Sequence, residues 1–233
     1  MMGFGLRQED IQLPQGAWAA GERTWVCWNG QPVLGLTQGA FRPYVFPVHT
    51  PAGFAVTSES PADHPHHHSI WVGADHLNLH VPAGPRTEVY SYNFYVNDVF
   101  QGRAPGRIWQ DHCEGQEVGD GLRVTQHLQW RGPREWGAPE GRHVLSETLA
   151  VAPRPGPHGH DWYISPWGVM TANPCLHTAL SIEPGGAPLV LGAQFLVCDG
   201  KPQDDHIQQA LSDWPSSHGR LRPFLLHRSK GQP

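Results

Sequence analysis

Lysine is almost missing from this chain: only Lys201 and Lys230 occur, and arginine supplies nearly all the positive charge. With a formal net charge of −5, the protein offers no basic surface of the kind that nucleic acid or anionic lipid rewards. No apolar run approaches the roughly 18 residues of a membrane span. The N-terminal MMGFGLRQEDIQLPQG lacks the charged and apolar regions of a leader peptide, so a soluble, cytoplasmic product is expected. Cysteine is scarce. Cys27, Cys113, Cys175 and Cys198 are widely spaced without a CxxC, which favours free thiols in a reducing compartment over disulfides. GxGxxG, GxxxxGK[ST] and GxSxG are absent, and with them the usual nucleotide sites and the serine-hydrolase elbow. Cys175 beside Leu176 and His177 reads as a packed thiol rather than a nucleophile.

Turn residues, by contrast, are plentiful, with 27 Gly and 23 Pro beside ten Trp and 39% apolar residues. That balance describes many short strands between turns, not disorder. Thr24–Trp28, Asn29-Gly30 and Pro32–Leu36 form a hairpin pattern. Phe41–His49 follows as an extended piece with Pro43 and Pro47 at an edge. Further strands are expected at Ser69–Gly73, Asp75–Val81, Glu88–Val99, Gly106–Glu114, Leu122–Arg131 and His143–Val151. A last hairpin would join Thr178–Ile182 to Leu189–Cys198 through the Glu183–Gly186 turn. Only Asp205–Ser212 reads as a helix, stopped by Pro215. The expected fold is all-β, an antiparallel β-sandwich with one short C-terminal helix: a single domain over residues 1–215 and a loosely held tail over 216–233.

Seven of the sixteen histidines fall between Arg42 and His80, and Asp63-His64-Pro65-His66-His67-His68 is the densest point. Imidazole with a nearby carboxylate suits a divalent transition metal, and Asp63, His64, His66 and His67, with His112, are the candidate ligands if Pro65 bends the backbone enough to gather them. The spacing matches no established zinc motif. The same imidazoles suit acid–base chemistry near neutral pH, with His66, His67 and His112 as the catalytic candidates and Glu147 as the complementary carboxylate. Trp71, Trp109, Trp130 and Tyr44 present flat faces on which a sugar ring can stack. Arg42 can grip a carboxylate or a pair of hydroxyls through its planar fork. His76, His80, His127 and His143 read as exposed strand-face residues.

Arg42-Pro43-Tyr44-Val45, Thr50-Pro51-Ala52-Gly53 and Asp63-His64-Pro65-His66-His67-His68-Ser69-Ile70-Trp71 resemble a bacterial family that often carries the label methane oxygenase PmoA. The likeness resumes at Gly106-Arg107-Ile108 through His112, at Ser146-Glu147-Thr148 and at Trp167–Pro174. The resemblance implies a β-sandwich related to the galactose-mutarotase supersandwich and a carbohydrate-related role rather than methane chemistry. It also implies that His66, His67, His112 and Glu147 share the concave face of a sheet. In that family several strands separate the Ser-Glu-Thr strand from the Trp-Gly-Val-Met segment; here Ala152–Pro166 joins them, as an internal deletion would. A homo-oligomeric partner would then cover the sheet edges left open.

Three functions follow as expectations. The first is an enzyme (lyase, epimerase or hydrolase) acting on an unusual or oxidised sugar. The second is a metal-dependent oxygenase or hydrolase, and the third a non-catalytic sugar-binding or interaction module. In each the ligand is a small, sugar-like molecule.

Overall fold

The computed structural model describes residues 3–13, 20–119, 121–151, 153, 161–163, 182–186, 197–198, 205 and 208. Within them the chain is an all-β protein. Strands β1 (Phe4–Gln12), β2 (Ala20–Trp28), β3 (Gln31–Gln38) and β4 (Pro43–Val48) form a first antiparallel sheet in sequence order. Strands β5 (Leu77–Ala83), β6 (Arg86–Asn93) and β7 (Ala104–Pro105) form a second, with β7 parallel to β6. Strands β8 (Arg107–Val118), β9 (Gly121–Arg131) and β10 (His143–Val151) form a third, in which β9 is central. A short pair, β11 (Asp161–Tyr163) with β12 (Val197–Cys198), completes the described set.

Strand β9 explains how the layers meet. Its alternation puts Leu122, Val124, Gln126, Leu128 and Trp130 on one buried face, while Arg123 and His127 face solvent. The first half of that face, Leu122 and Val124, packs against Val26, Leu34, Leu36, Val45 and Val48 of the first sheet. The second half, Leu128 and Trp130, packs with Ile108 against Tyr92 and Phe94 at the end of the second sheet. One long strand therefore serves two apolar clusters. Gln126, which is 3% exposed, lies between Val124 and Leu128, and its amide donates to Gln110 Oε1. Gln38 ties the first sheet to β8 by accepting from Gln110 N (3.0 Å) and donating to the Ile108 carbonyl (3.2 Å). Those partners keep the buried Gln126 amide and the part-buried Gln38 and Gln110 from costing stability.

The hairpin read at Asn29-Gly30 is present: both residues have positive φ (50° and 81°), as the two-residue turn joining β2 to β3 requires. Two expectations need correction, and one strand went unread. Ser69–Gly73 is not a strand, since only Ile70 pairs, in an isolated bridge to Val45. The segment read as Glu88–Val99 leaves the sheet after Asn93, because the Asn93 side chain turns the backbone there. Strand β1 carries no alternation, since nearly every residue in it is exposed, and its ladder to β2 alone makes it a strand. Of the expected last hairpin, the Glu183–Gly186 turn is present, closed by Gly186 N donating to the Glu183 carbonyl (2.9 Å). Val197–Cys198, however, pairs with Asp161–Tyr163. Thr178–Ser181, Leu189–Leu196 and the tail lie outside the described residues. In the expected helix, Asp205 and Gln208 are described, and both are helical. Cys27 and Cys113 are free thiols. Among the described residues no helix is long and apolar enough to cross a membrane.

Candidate functional site

The connection from β4 to β5 carries the chain from the first sheet to the second, and the histidine run lies on it. Two successive turns fold the run, with His64 N donating to the Pro61 carbonyl (3.0 Å) and His67 N to the His64 carbonyl (2.9 Å). Pro65 occupies the second position of the second turn, where its fixed φ is already correct. Ser60 N then donates to the His67 carbonyl (2.8 Å) and closes the loop on itself. The bend expected at Pro65 is thus present and gathers three imidazoles. The His66 and His67 rings meet edge-on at 4.5 Å, and His64 stacks on His67 at 4.8 Å.

The second wall of the site is the loop after β6. Asn93 is fully buried and shapes it, its Oδ1 accepting from Tyr95 N (2.7 Å) and Val96 N (3.1 Å) while its amide reaches the Val96 and Asp98 carbonyls. That turn delivers Tyr95 to the histidines. The Tyr95 hydroxyl lies 3.0 Å from His67 Nε2, and its ring meets His66 edge-on at 5.6 Å and Trp71 at 4.9 Å.

Arg42 and Tyr44 lie underneath, on and beside β4. Arg42 is 2% exposed; its guanidinium donates to the Tyr95 carbonyl and to Asn97 Oδ1 and sits 4.5 Å from the Trp71 ring centre. Burial lowers its pKa to about 10, which leaves it cationic at neutral pH. Tyr44 is buried, donates its hydroxyl to Glu59, and stacks on His68 at 4.8 Å. His68 is itself buried, with Nδ1 3.2 Å from Ser60 Oγ. Read from sequence as direct ligand contacts, Arg42 and Tyr44 are instead the supports on which the loop rests.

Electrostatics separates the imidazoles. Burial, then the neighbouring imidazoles, pushes His66 below the ordinary histidine range, and burial and His64 do the same for His67. Burial followed by the Arg42 charge takes His68 down to about 4. Asp63 is exposed, pairs with His64 (3.1 Å), and is held low by that contact.

The remaining sequence candidates lie elsewhere. His112 is exposed, 3.6 Å from Glu114 and stacked on His127 across the β8–β9 ladder. Trp109 is on β8 beside Arg107, partly exposed. Trp130 is core. Glu147, on β10, accepts from Trp130 Nε1 (2.8 Å), and burial raises its pKa. Among the described residues no hydrogen bond or ring contact joins Glu147, His112 or Trp109 to the histidine loop. The expected grouping of His66, His67, His112 and Glu147 is therefore not assembled by contact. The metal set does not fit either. His64 and His67 lie almost parallel (22°), so their in-plane lone pairs do not meet at one point. No group of three or more described His, Cys, Asp or Glu residues is arranged to hold a metal ion.

Tyr95 and Asn97 were missed in the sequence because the Tyr- and Phe-rich run looked like uninterrupted strand. The signal was Asn93, whose side chain favours exactly such a turn. Gly73 adds a steric condition: a Cβ there would lie 2.2 Å from the Trp71 ring and 2.9 Å from the Phe94 carbonyl. Gly73→Ala is expected to displace the indole and cost about 1–3 kcal/mol in urea denaturation.

Residues 25–159 match the family of unknown function DUF6807. The chain belongs to this family. The DUF6807 span takes in β4, both walls of the histidine site, the whole third sheet and Glu147, and it ends before β11. No curated protein and no solved structure matches the chain. For this DUF6807 member the functional reading therefore comes from the site's own geometry.

Proposed function

We propose that the His66–His67–Tyr95 cluster is an acid–base site acting on a carbohydrate-related ligand. The observation that carries this reading is the 3.0 Å contact between His67 Nε2 and the Tyr95 hydroxyl. Imidazoles held below their ordinary pKa are neutral at pH 7 and ready to accept a proton, and a phenol beside them can supply one. Sugar-ring opening needs just that pair. A base takes the anomeric hydroxyl proton, the ring C–O bond breaks, and an acid protonates the departing ring oxygen. Epimerisation and elimination use the same two roles. Trp71 contributes an aromatic surface next to Tyr95, suited to the apolar face of a sugar. The likeness to the PmoA-labelled proteins supports the substrate class.

Anomer exchange measured by NMR across a panel of aldoses and keto-sugars tests the reading. For the sugar turned over, His67→Gln and Tyr95→Phe are expected to lower kcat by about 10²–10⁴-fold with the fold retained. Wild-type rates in both variants would remove the proposal. A second reading, a sugar-binding or interaction module without turnover, is favoured by one feature: Glu147, the carboxylate expected to complement the imidazoles, is engaged with Trp130 in the third sheet. Binding at the histidine loop without any turnover would select it.

A further inference from the structure

Arg42 is the one buried charged side chain among the described residues, and no described carboxylate forms an ion pair with it, the Glu59 carboxylate being held by the Tyr44 hydroxyl. The described ion pairs join Arg7 to Glu9, His64 to Asp63, His112 to Glu114 and Arg142 to Glu135; none involves Arg42. Its hydrogen-bond partners are a carbonyl and an amide oxygen, and its ring partner is Trp71. All three are neutral. They engage two of the guanidinium's N–H donors and one of its faces without cancelling its charge. In a protein interior such a charge projects further than it would in water, because little solvent screens it. The field reaches the site, since Arg42 acts electrostatically on His66 as well as on His68. His66, His67 and His68, held below the ordinary histidine range, bring no charge that offsets it. The exposed carboxylate of Asp63 is already committed to His64.

We infer that the ligand of this site carries a negative charge, and that it is a carboxylated sugar such as a uronic or aldonic acid, selected by the field of Arg42 from beneath the aromatic floor. The inference rests on the acid–base reading and narrows its substrate. A carboxylate held near Trp71 and Tyr95 would complete the charge balance that the protein leaves open. The sugar's hydroxyls would then meet His66 and His67. Arg42 acts here through space, as a specificity-determining residue. At 2% exposure its guanidinium does not touch the ligand.

The test compares glucuronate with glucuronamide, its neutral isostere, and with glucose, following the His66 and His67 ring signals by NMR on the full chain. Glucuronate is expected to bind about tenfold or more tighter than glucuronamide. Arg42→Lys should retain that preference and Arg42→Gln should abolish it. The wild-type comparison stands even if the Gln variant does not fold. Equal affinity for acid and amide would overturn the inference and leave the acid–base site standing. Ring signals unmoved by all three sugars would overturn both.

Discussion

Arg42→Ala is expected to destabilise the fold by about 3 kcal/mol in urea denaturation, the largest single effect in the region. Truncation leaves the part-buried Tyr95 carbonyl and Asn97 Oδ1 without their donor, at about 1–3 kcal/mol each. It also removes a desolvated cation–π contact with Trp71, itself about 2 kcal/mol. Relief of the cost of burying a cation offsets part of that sum. Arg42→Lys keeps the charge but cannot span both acceptors, so its loss should be smaller, about 1–2 kcal/mol. Asn93 would still hold the Tyr95 turn from the other side, so the second sheet survives while the site loosens. A loss below about 1 kcal/mol for Arg42→Ala would mean that the loop does not depend on this residue.

Acid is the second strong perturbation, through His68. In the folded protein its pKa is about 4, because it is buried against Tyr44 and near Arg42. In the unfolded chain it returns to about 6.5. Between those values the unfolded chain binds the extra proton. The stability contributed by neutral His68 is therefore complete above pH 6.5 and lost as pH falls towards 4. The shift corresponds to on the order of 3 kcal/mol. His66 and His67, also lowered, act in the same direction but are half-exposed and contribute less. Carboxylates add their own pH dependence, so the informative quantity is the difference between wild type and His68→Gln in urea denaturation at pH 7, 5 and 4. The variant should be less stable at pH 7 and lose less on acidification. Parallel pH dependence in the two proteins would contradict the account.

How far the sequence announced all this can be traced residue by residue. Alternation made β5 and β9 legible, because each turns one face inward and wets the other, and β10 followed as the antiparallel neighbour of β9; Asn29-Gly30 announced its hairpin through backbone geometry alone. Strand β1 left no trace because it buries neither face. Pro65 correctly foretold the bend in the histidine run, and the clustering of His64, His66 and His67 followed. What the sequence could not convey is which distant residues meet that loop. His112 and Glu147 were attractive by residue type, yet strand register assigns them to Glu114, His127 and Trp130. Tyr95 sat inside an apparently continuous strand, and only the local bonding of Asn93 breaks it. Arg42 and Tyr44 showed the right location but the wrong depth, since an arginine fork looks the same in sequence whether it reaches solvent or a buried carbonyl.

The central claim is that His66 and His67 are drawn into a partly buried cluster with Tyr95, not displayed singly to solvent. Titration of their ring signals by NMR in wild type and Tyr95→Phe tests it most directly. Both imidazoles should titrate below about 6.5, and removing the Tyr95 hydroxyl should move His67 more than His66. Two ordinary solvent-exposed titrations, both indifferent to Tyr95→Phe, would contradict the account.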